Sequence, residues 1–253
     1  MAQSSIEWTQ MTWNPTTGCT KVTKGCKNCY AAVMSKRLQA MGIDKYKDGF
    51  KIRLHPETLN DPYTWKKSKI VFVNSMSDLF HEDIPLDYIK QVFKVMNDLD
   101  GVHTFQVLTK RAERLLEVQH ELNWTKNIWM GVSVEDNSVL WRTDCLRNIH
   151  AHIKFLSCEP LIGSLSNLDV TGINWVIAGG ESGHKARPVK EKWITEIRDK
   201  CIKAKVPFFF KQWGKKEFNS NQSDPTIQKE HQQHGKGGAQ IEGYVYRELP
   251  MVG

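Results

Sequence analysis

The sequence has no apolar run approaching the roughly 18 residues that a bilayer crossing requires, which excludes a membrane-spanning helix. Met1 to Gln10 is polar and includes Glu7, unlike the charged and then apolar start of a secretory leader, so a soluble cytoplasmic protein with no membrane partner is expected. No internal repeat is visible, which argues against a solenoid or propeller. Cysteine is scarce, with six in 253 residues, and a disulfide scaffold is not expected in such a chain. Only one Cys-x2-Cys knuckle occurs, whereas structural zinc sites usually pair two.

Apolar residues make up 40% and charged residues 25% of the chain, enough for a substantial core. The length of 253 residues matches a single β/α barrel, which runs to about 250. The net charge of +7 suits a polyanionic partner such as nucleic acid, although many soluble proteins are mildly basic.

Strand-like and helix-like stretches alternate. Strands are expected at Ile70 to Val73, Thr104 to Leu108, Ile128 to Val134, Ile153 to Leu156, Trp175 to Ala178 and Phe208 to Phe210, with weaker ones at Met11 to Asn14 and Lys51 to Leu54. Helices are expected at Tyr30 to Met41, Pro85 to Leu99, Ala112 to Leu122, Val139 to Ile149 and Lys192 to Ala204. In the second of these, Ile89, Val92, Phe93 and Met96 recur at helical spacing. The alternation predicts an α/β fold, a full or partial β/α barrel of about eight parallel strands. The barrel would span residues 1–218, with 219–253 as a C-terminal loop and short extension packing on it. Asn219 to Gly238 reads as a surface linker or a lid, ahead of a strand pair around Tyr244 to Leu249.

Each apolar run ends in a polar cluster: Asn74, Ser75, Ser77 and Asp78; Thr109, Lys110 and Arg111; Ser133, Glu135 and Asp136; Ser157, Cys158 and Glu159; Gly179, Gly180, Glu181 and Ser182; Lys211, Gln212 and Trp213. In a barrel such ends share one face, the one that carries the active site. Helix capping would account for Ser77, Asp136 and Ser182, but less readily for so many acids and bases at once.

The sharpest signal is the run from Gly18 to Tyr30, with Cys19, Cys26 and Cys29 spaced C-x6-C-x2-C after the first strand. Thiolates suit iron–sulfur clusters and zinc. A [4Fe–4S] cluster normally takes four thiolates, so three leave one iron open to a ligand. The rival is structural zinc closed by a distant fourth ligand such as His55, His81 or Cys158, in a non-catalytic nucleic-acid-binding protein. Lys21, Lys24 and Lys27 would offset the negative charge of a cluster, or simply face solvent.

With this loop after the first strand, the chain resembles the radical S-adenosylmethionine (SAM) superfamily, with three residues more in the first gap than the common C-x3-C-x2-C. It is most similar to a phage- and prophage-associated uncharacterised branch, and distantly similar to spore photoproduct lyase, which repairs a thymine dimer in DNA. That resemblance covers nearly the whole chain. It rests on Trp13-Asn14-Pro15, Ser75-Met76-Ser77-Asp78-Leu79-Phe80, Gly131-Val132-Ser133-Val134-Glu135, Leu156-Ser157-Cys158-Glu159-Pro160-Leu161, Gly179-Gly180-Glu181-Ser182-Gly183, Ala186-Arg187-Pro188 and Phe209-Phe210-Lys211-Gln212-Trp213-Gly214.

The resemblance implies a [4Fe–4S] cluster on Cys19, Cys26 and Cys29. SAM would be cleaved reductively to methionine and a 5′-deoxyadenosyl radical, with an electron from an external one-electron reductant. The substrate would be nucleic acid or a nucleotide; a peptide of a partner protein is the other possibility. Tyr30 would pack by the adenine, Ser75, Ser77 and Asp78 would hold SAM, and Ser133 and Glu135 its ribose. Glu181, in a Gly-Gly-Glu run, is a further SAM candidate. Glu159, Glu181, Arg187, Lys211 and Gln212, from late strands, would face the substrate. Cys158, Glu159 and Lys211 are the catalytic candidates, Cys158 as hydrogen-atom donor or as a small core residue. Trp213 at a strand end is a core or loop anchor, as most of the tryptophans should be, or a ring that stacks on a base.

Overall fold

The computed structural model describes residues 4, 6–220 and 236–251. The fold is α/β. Seven parallel strands carry it: β1 (Met11–Trp13), β2 (Ile70–Val73), β3 (Thr104–Thr109), β4 (Ile128–Ser133), β5 (Ile153–Cys158), β6 (Trp175–Ala178) and β7 (Phe208–Phe210). Their order in the sheet follows their order in the chain, with no reversal. That is the winding of a partial β/α barrel, since a doubly wound open sheet reverses direction at a switch point. Five helices accompany them: α1 (Tyr30–Ala40), α2 (Leu86–Asp98), α3 (Ala112–Val118), α4 (Trp141–Arg147) and α5 (Glu191–Ala204).

Two compact units can be distinguished, residues 1–132 with 148–153, and residues 133–147 with 154–253. In the first, β1 pairs with β2 through Met11↔Val71 and Trp13↔Val73, and β2 with β3 through Val71↔Phe105. Trp13, Val71, Phe72, Val73, Phe105 and Val107 of these strands are buried, on both faces of the sheet, as parallel strands require. The apolar stripe of α2 lies where its periodicity places it: Ile89, Val92, Phe93 and Met96 are all buried. Each such side chain contributes about 1.5–3 kcal/mol relative to exposure. In the second unit, β5 pairs with β6 through Phe155↔Trp175, and β6 with β7 through Ile177↔Phe209. Ile194, Ile197 and Cys201 of α5 are buried.

Two expectations are corrected. The sheet has seven strands rather than about eight, and Lys51 to Leu54 is not one of them. Arg53–Leu54 instead pairs antiparallel with Thr16–Thr17, directly beyond β1. A two-residue strand in that position ties down a loop rather than extending the barrel. Near the C-terminus, Gln240–Ile241 and Tyr244–Val245 form a short antiparallel pair. Most of the linker expected at Asn219 to Gly238 lies outside the described residues.

His55 closes the antiparallel pair at its inner side. It is buried, with Nε2 2.8 Å from Thr17 Oγ1 and Nδ1 3.2 Å from Glu57. Burial holds its pKa below the ordinary 6.5, with the Lys45 and Arg53 cations helping and Glu57 opposing. The unfolded chain therefore takes up this proton first, so the contribution of His55 to stability is complete above about pH 6.5 and is lost as pH falls toward the folded value. The urea midpoint of the protein is expected to fall from about pH 7.5 to about pH 5.5, and His55→Gln to flatten part of that slope. Equal slopes for the two proteins would exclude His55 as a source.

Candidate functional site

The first unit builds its site on the chain leaving β1. Gly18 takes φ +87°, and its N–H donates to the Met76 carbonyl at 3.0 Å. The Cys19 N–H donates to Phe50 O at 3.2 Å. A Cβ on Gly18 would stand 2.0 Å from the Lys51 carbonyl oxygen, so both the backbone angle and the close approach demand glycine. Cys26 ends a short 3-10 turn, Lys24–Cys26. Cys29 is the N-cap residue of α1. All three cysteines are free thiols and partly exposed. Cys19 lines an open cleft of about 620 Å³ with Thr20, Phe50, Lys51, Ile52, Leu54 and Asp83. That volume is within the range of small-ligand sites.

Cys19 is tied to the end of β3 by Arg111, which is buried. Its Nη1 donates to Cys19 Sγ at 3.5 Å and to Asp78 Oδ2 at 3.4 Å, its Nε to Glu82 at 2.8 Å, and its Nη2 to Thr20 Oγ1 at 2.8 Å. Burial and then the Asp78 carboxylate push the Cys19 thiol up to about 11, against the pull of Arg111. The Arg111 hydrogen bond is the main cause that brings Glu82 down to about 2. His81 is fully buried; its Nδ1 accepts from the Asp83 N–H, so Nε2 carries the proton and donates to Thr20 Oγ1 at 2.8 Å. Thr20 thus joins a guanidinium, an imidazole and a carboxylate in one network beside the first cysteine.

The loop after β2 interlocks with the same region. Asn14 Oδ1 accepts from Ser75 Oγ at 3.2 Å and from the Met76 N–H at 3.0 Å, and Ser77 Oγ accepts from Thr16 at 2.8 Å. The Tyr30 hydroxyl donates to the Ser75 carbonyl while its ring stays half exposed. Asp78 is heavily engaged by protein: it accepts from Thr109 Oγ1 at 2.7 Å, Lys110 N at 3.0 Å, Phe80 N at 3.1 Å and Arg111. Ser75, Ser77, Asp78 and Tyr30 therefore lie in the same unit as the three cysteines. Among the described residues no group of three or more His, Cys, Asp or Glu side chains is gathered where it could hold a metal ion.

The second unit collects the polar ends of the later strands into ion pairs. Glu135 meets Arg142 at 3.0 Å, with both side chains 2% exposed. Glu159 meets Lys211 at 3.1 Å, and Glu181 meets Arg187 through two guanidinium nitrogens at 2.6 and 2.8 Å. Ser133 Oγ and Gln212 Oε1 are buried without a hydrogen-bond partner in the structure. Cys158 is sealed from solvent; burial, with the nearby Cys201, Glu135 and Glu159, keeps it a protonated thiol. Gly180 explains its motif by close approach: its N–H donates to Gln212 O and its carbonyl accepts from Gln212 Nε2, both at 2.8 Å. A Cβ there would lie 2.1 Å from Trp213 O. Trp213 itself is fully buried, with its indole N–H on Gln240 O at 2.9 Å, so of its two readings the core anchor holds and the base-stacking ring does not.

Sequence reasoning missed Arg142 and the part played by Arg111. Arg111 stands in the polar cluster after β3, but nothing in local spacing shows that it reaches Cys19, 92 positions away.

A family described as "Protein of unknown function (DUF5131)" matches residues 3–250. The chain belongs to this family. No curated protein matches the sequence. Among solved structures, this DUF5131 chain is similar to a cysteine-to-alanine mutant of spore photoproduct lyase with dinucleoside spore photoproduct, at 12% identity and a TM-score of 0.44. It is also similar to spore photoproduct lyase complexed with dinucleoside spore photoproduct, at 13% and 0.42. Each alignment covers 74% of this chain, which spans 59% of the length of either structure. No helix among the described residues is long and apolar enough to cross a membrane.

Proposed function

We propose that this DUF5131 protein is a radical SAM enzyme whose Cys19, Cys26 and Cys29 hold a [4Fe–4S] cluster, and that it acts on nucleic acid or a nucleotide. The observation that carries this reading is the donor set: three free thiols on one loop leaving β1, one at the N-terminus of α1 and one beside a buried guanidinium. A cluster takes one thiolate per iron, so its ligands need not converge on a single atom as those of a lone zinc must. When bound, such a cluster with SAM supplies reductive cleavage of the sulfonium to a carbon radical.

The chain's own groups would do the rest. Gly18 and the Met76 and Phe50 carbonyls shape the ligand loop. Ser75, Ser77 and Tyr30 are the candidates for holding SAM, and Asp78 acts on them by bracing the strand ends. In the second unit, Ser133 Oγ and Gln212 Oε1 are buried without a hydrogen-bond partner. Glu135, Glu159, Glu181 and Lys211 stand in ion pairs that would keep their side chains in place without added net charge. Cys158, held as a thiol, has the protonation state a hydrogen-atom donor needs.

Anaerobic reconstitution tests the reading. The wild-type protein is expected to bind about four irons and four sulfides, to turn brown, and to release 5′-deoxyadenosine from SAM with dithionite. Cys19→Ala, Cys26→Ala and Cys29→Ala are each expected to lose 5′-deoxyadenosine formation and most of the iron. One colourless zinc per chain, with salt-dependent nucleic-acid binding and no response to SAM, would establish the zinc alternative instead.

A further inference from the structure

We propose that Arg111 is a positioning residue that holds Cys19 by an N–H···S bond and biases a metal centre on that sulfur toward its reduced state; the inference rests on the cluster reading above. The guanidinium offers five N–H bonds, and the structure gives it five contacts: Glu82 through Nε, Cys19 Sγ and Asp78 through Nη1, and Thr20 O and Oγ1 through Nη2. Pinning the loop alone would need only the Thr20 contacts. The Nη1 contact at 3.5 Å goes further and places a donor on the ligand atom itself.

The side chain is nearly buried, so its charge is weakly screened by water. A donor on a ligating sulfur draws electron density from it, and a nearby cation favours the more negative of two redox states. Arg111 thus lowers the cost of adding one electron, which an external one-electron reductant gives up. Asp78 and Glu82 act against this pull and hold the guanidinium in place. Lysine could keep the charge but not the planar fork that reaches sulfur, carboxylate and Thr20 together.

The test is a potentiometric titration of anaerobically reconstituted protein, followed by electron paramagnetic resonance without SAM. Arg111→Gln is expected to disfavour reduction about tenfold, roughly 59 mV more negative for a one-electron couple. Arg111→Lys should shift the potential in the same direction by less, and Asp78→Asn in the opposite direction. Opposite signs distinguish charge from damage to folding. If Arg111→Gln does not fold, Arg111→Lys and Asp78→Asn decide by the same signs. Variants that bind iron at an unchanged potential, or that differ from wild type only in how much iron they take up, would overturn the inference and leave the cluster reading standing. A wild-type protein that takes up no iron and sulfide would overturn the cluster reading, and this inference with it.

Discussion

Arg142→Met is expected to destabilise the protein by about 3–5 kcal/mol, the usual cost of removing one partner from a buried ion pair. Arg142 and Glu135 are each 2% exposed and meet at 3.0 Å, and the same Nη1 donates to the Ser133 carbonyl at 2.8 Å. Methionine fills much of the volume but leaves the Glu135 carboxylate in low dielectric without its guanidinium. The matched double variant Glu135→Gln with Arg142→Met is expected to recover a large part of the loss, because the charge disappears with its partner. Urea unfolding of the two variants and wild type measures this. A single variant within about 0.5 kcal/mol of wild type would refute the structural role of this ion pair, since substitutions away from such features stay within that range.

Gly18→Ala is expected to have the second large effect, and to join stability to metal uptake. Left-handed backbone costs an L-residue about 1–2 kcal/mol. The added Cβ would also have to displace the Lys51 carbonyl, which it would otherwise approach to 2.0 Å. That carbonyl belongs to the stretch whose Phe50 oxygen accepts from Cys19 N. Displacing it shifts Cys19, so if Cys19 is the cluster ligand proposed above, iron uptake should fall together with the urea midpoint. Wild-type stability and full iron content in this variant would contradict the tight approach of the two backbones.

Much of the architecture was legible because it rests on local pattern. Helix α2 and strands β2 to β7 follow from apolar periodicity and β-branched runs, and their ends were placed to within a few residues. That Cys19, Cys26 and Cys29 share one loop between β1 and α1 was legible from their spacing. Failures occurred where a residue's surroundings come from distant chain. Arg53–Leu54 is β-like in sequence, but its partner, Thr16–Thr17, runs antiparallel to it. The bonds that Asp78 accepts from Thr109, Lys110 and Phe80 are likewise shown only by folded geometry. The ion pairs of Glu135 and Glu159 are equally silent in sequence, because nothing local says which base each acid meets.

The backbone bonds that Met76 and Phe50 give to Gly18 and Cys19 carry a consequence for the order of assembly. The thiol loop gets its shape from segments that follow it by about thirty to sixty positions, so it is a product of tertiary folding. Small zinc domains work the other way round, with the ion itself organising an otherwise unfolded chain. Here the polypeptide comes first: on the proposed reading, newly made protein should be a folded acceptor before any cluster reaches it, and removing a bound cluster should leave the shape of the loop in place.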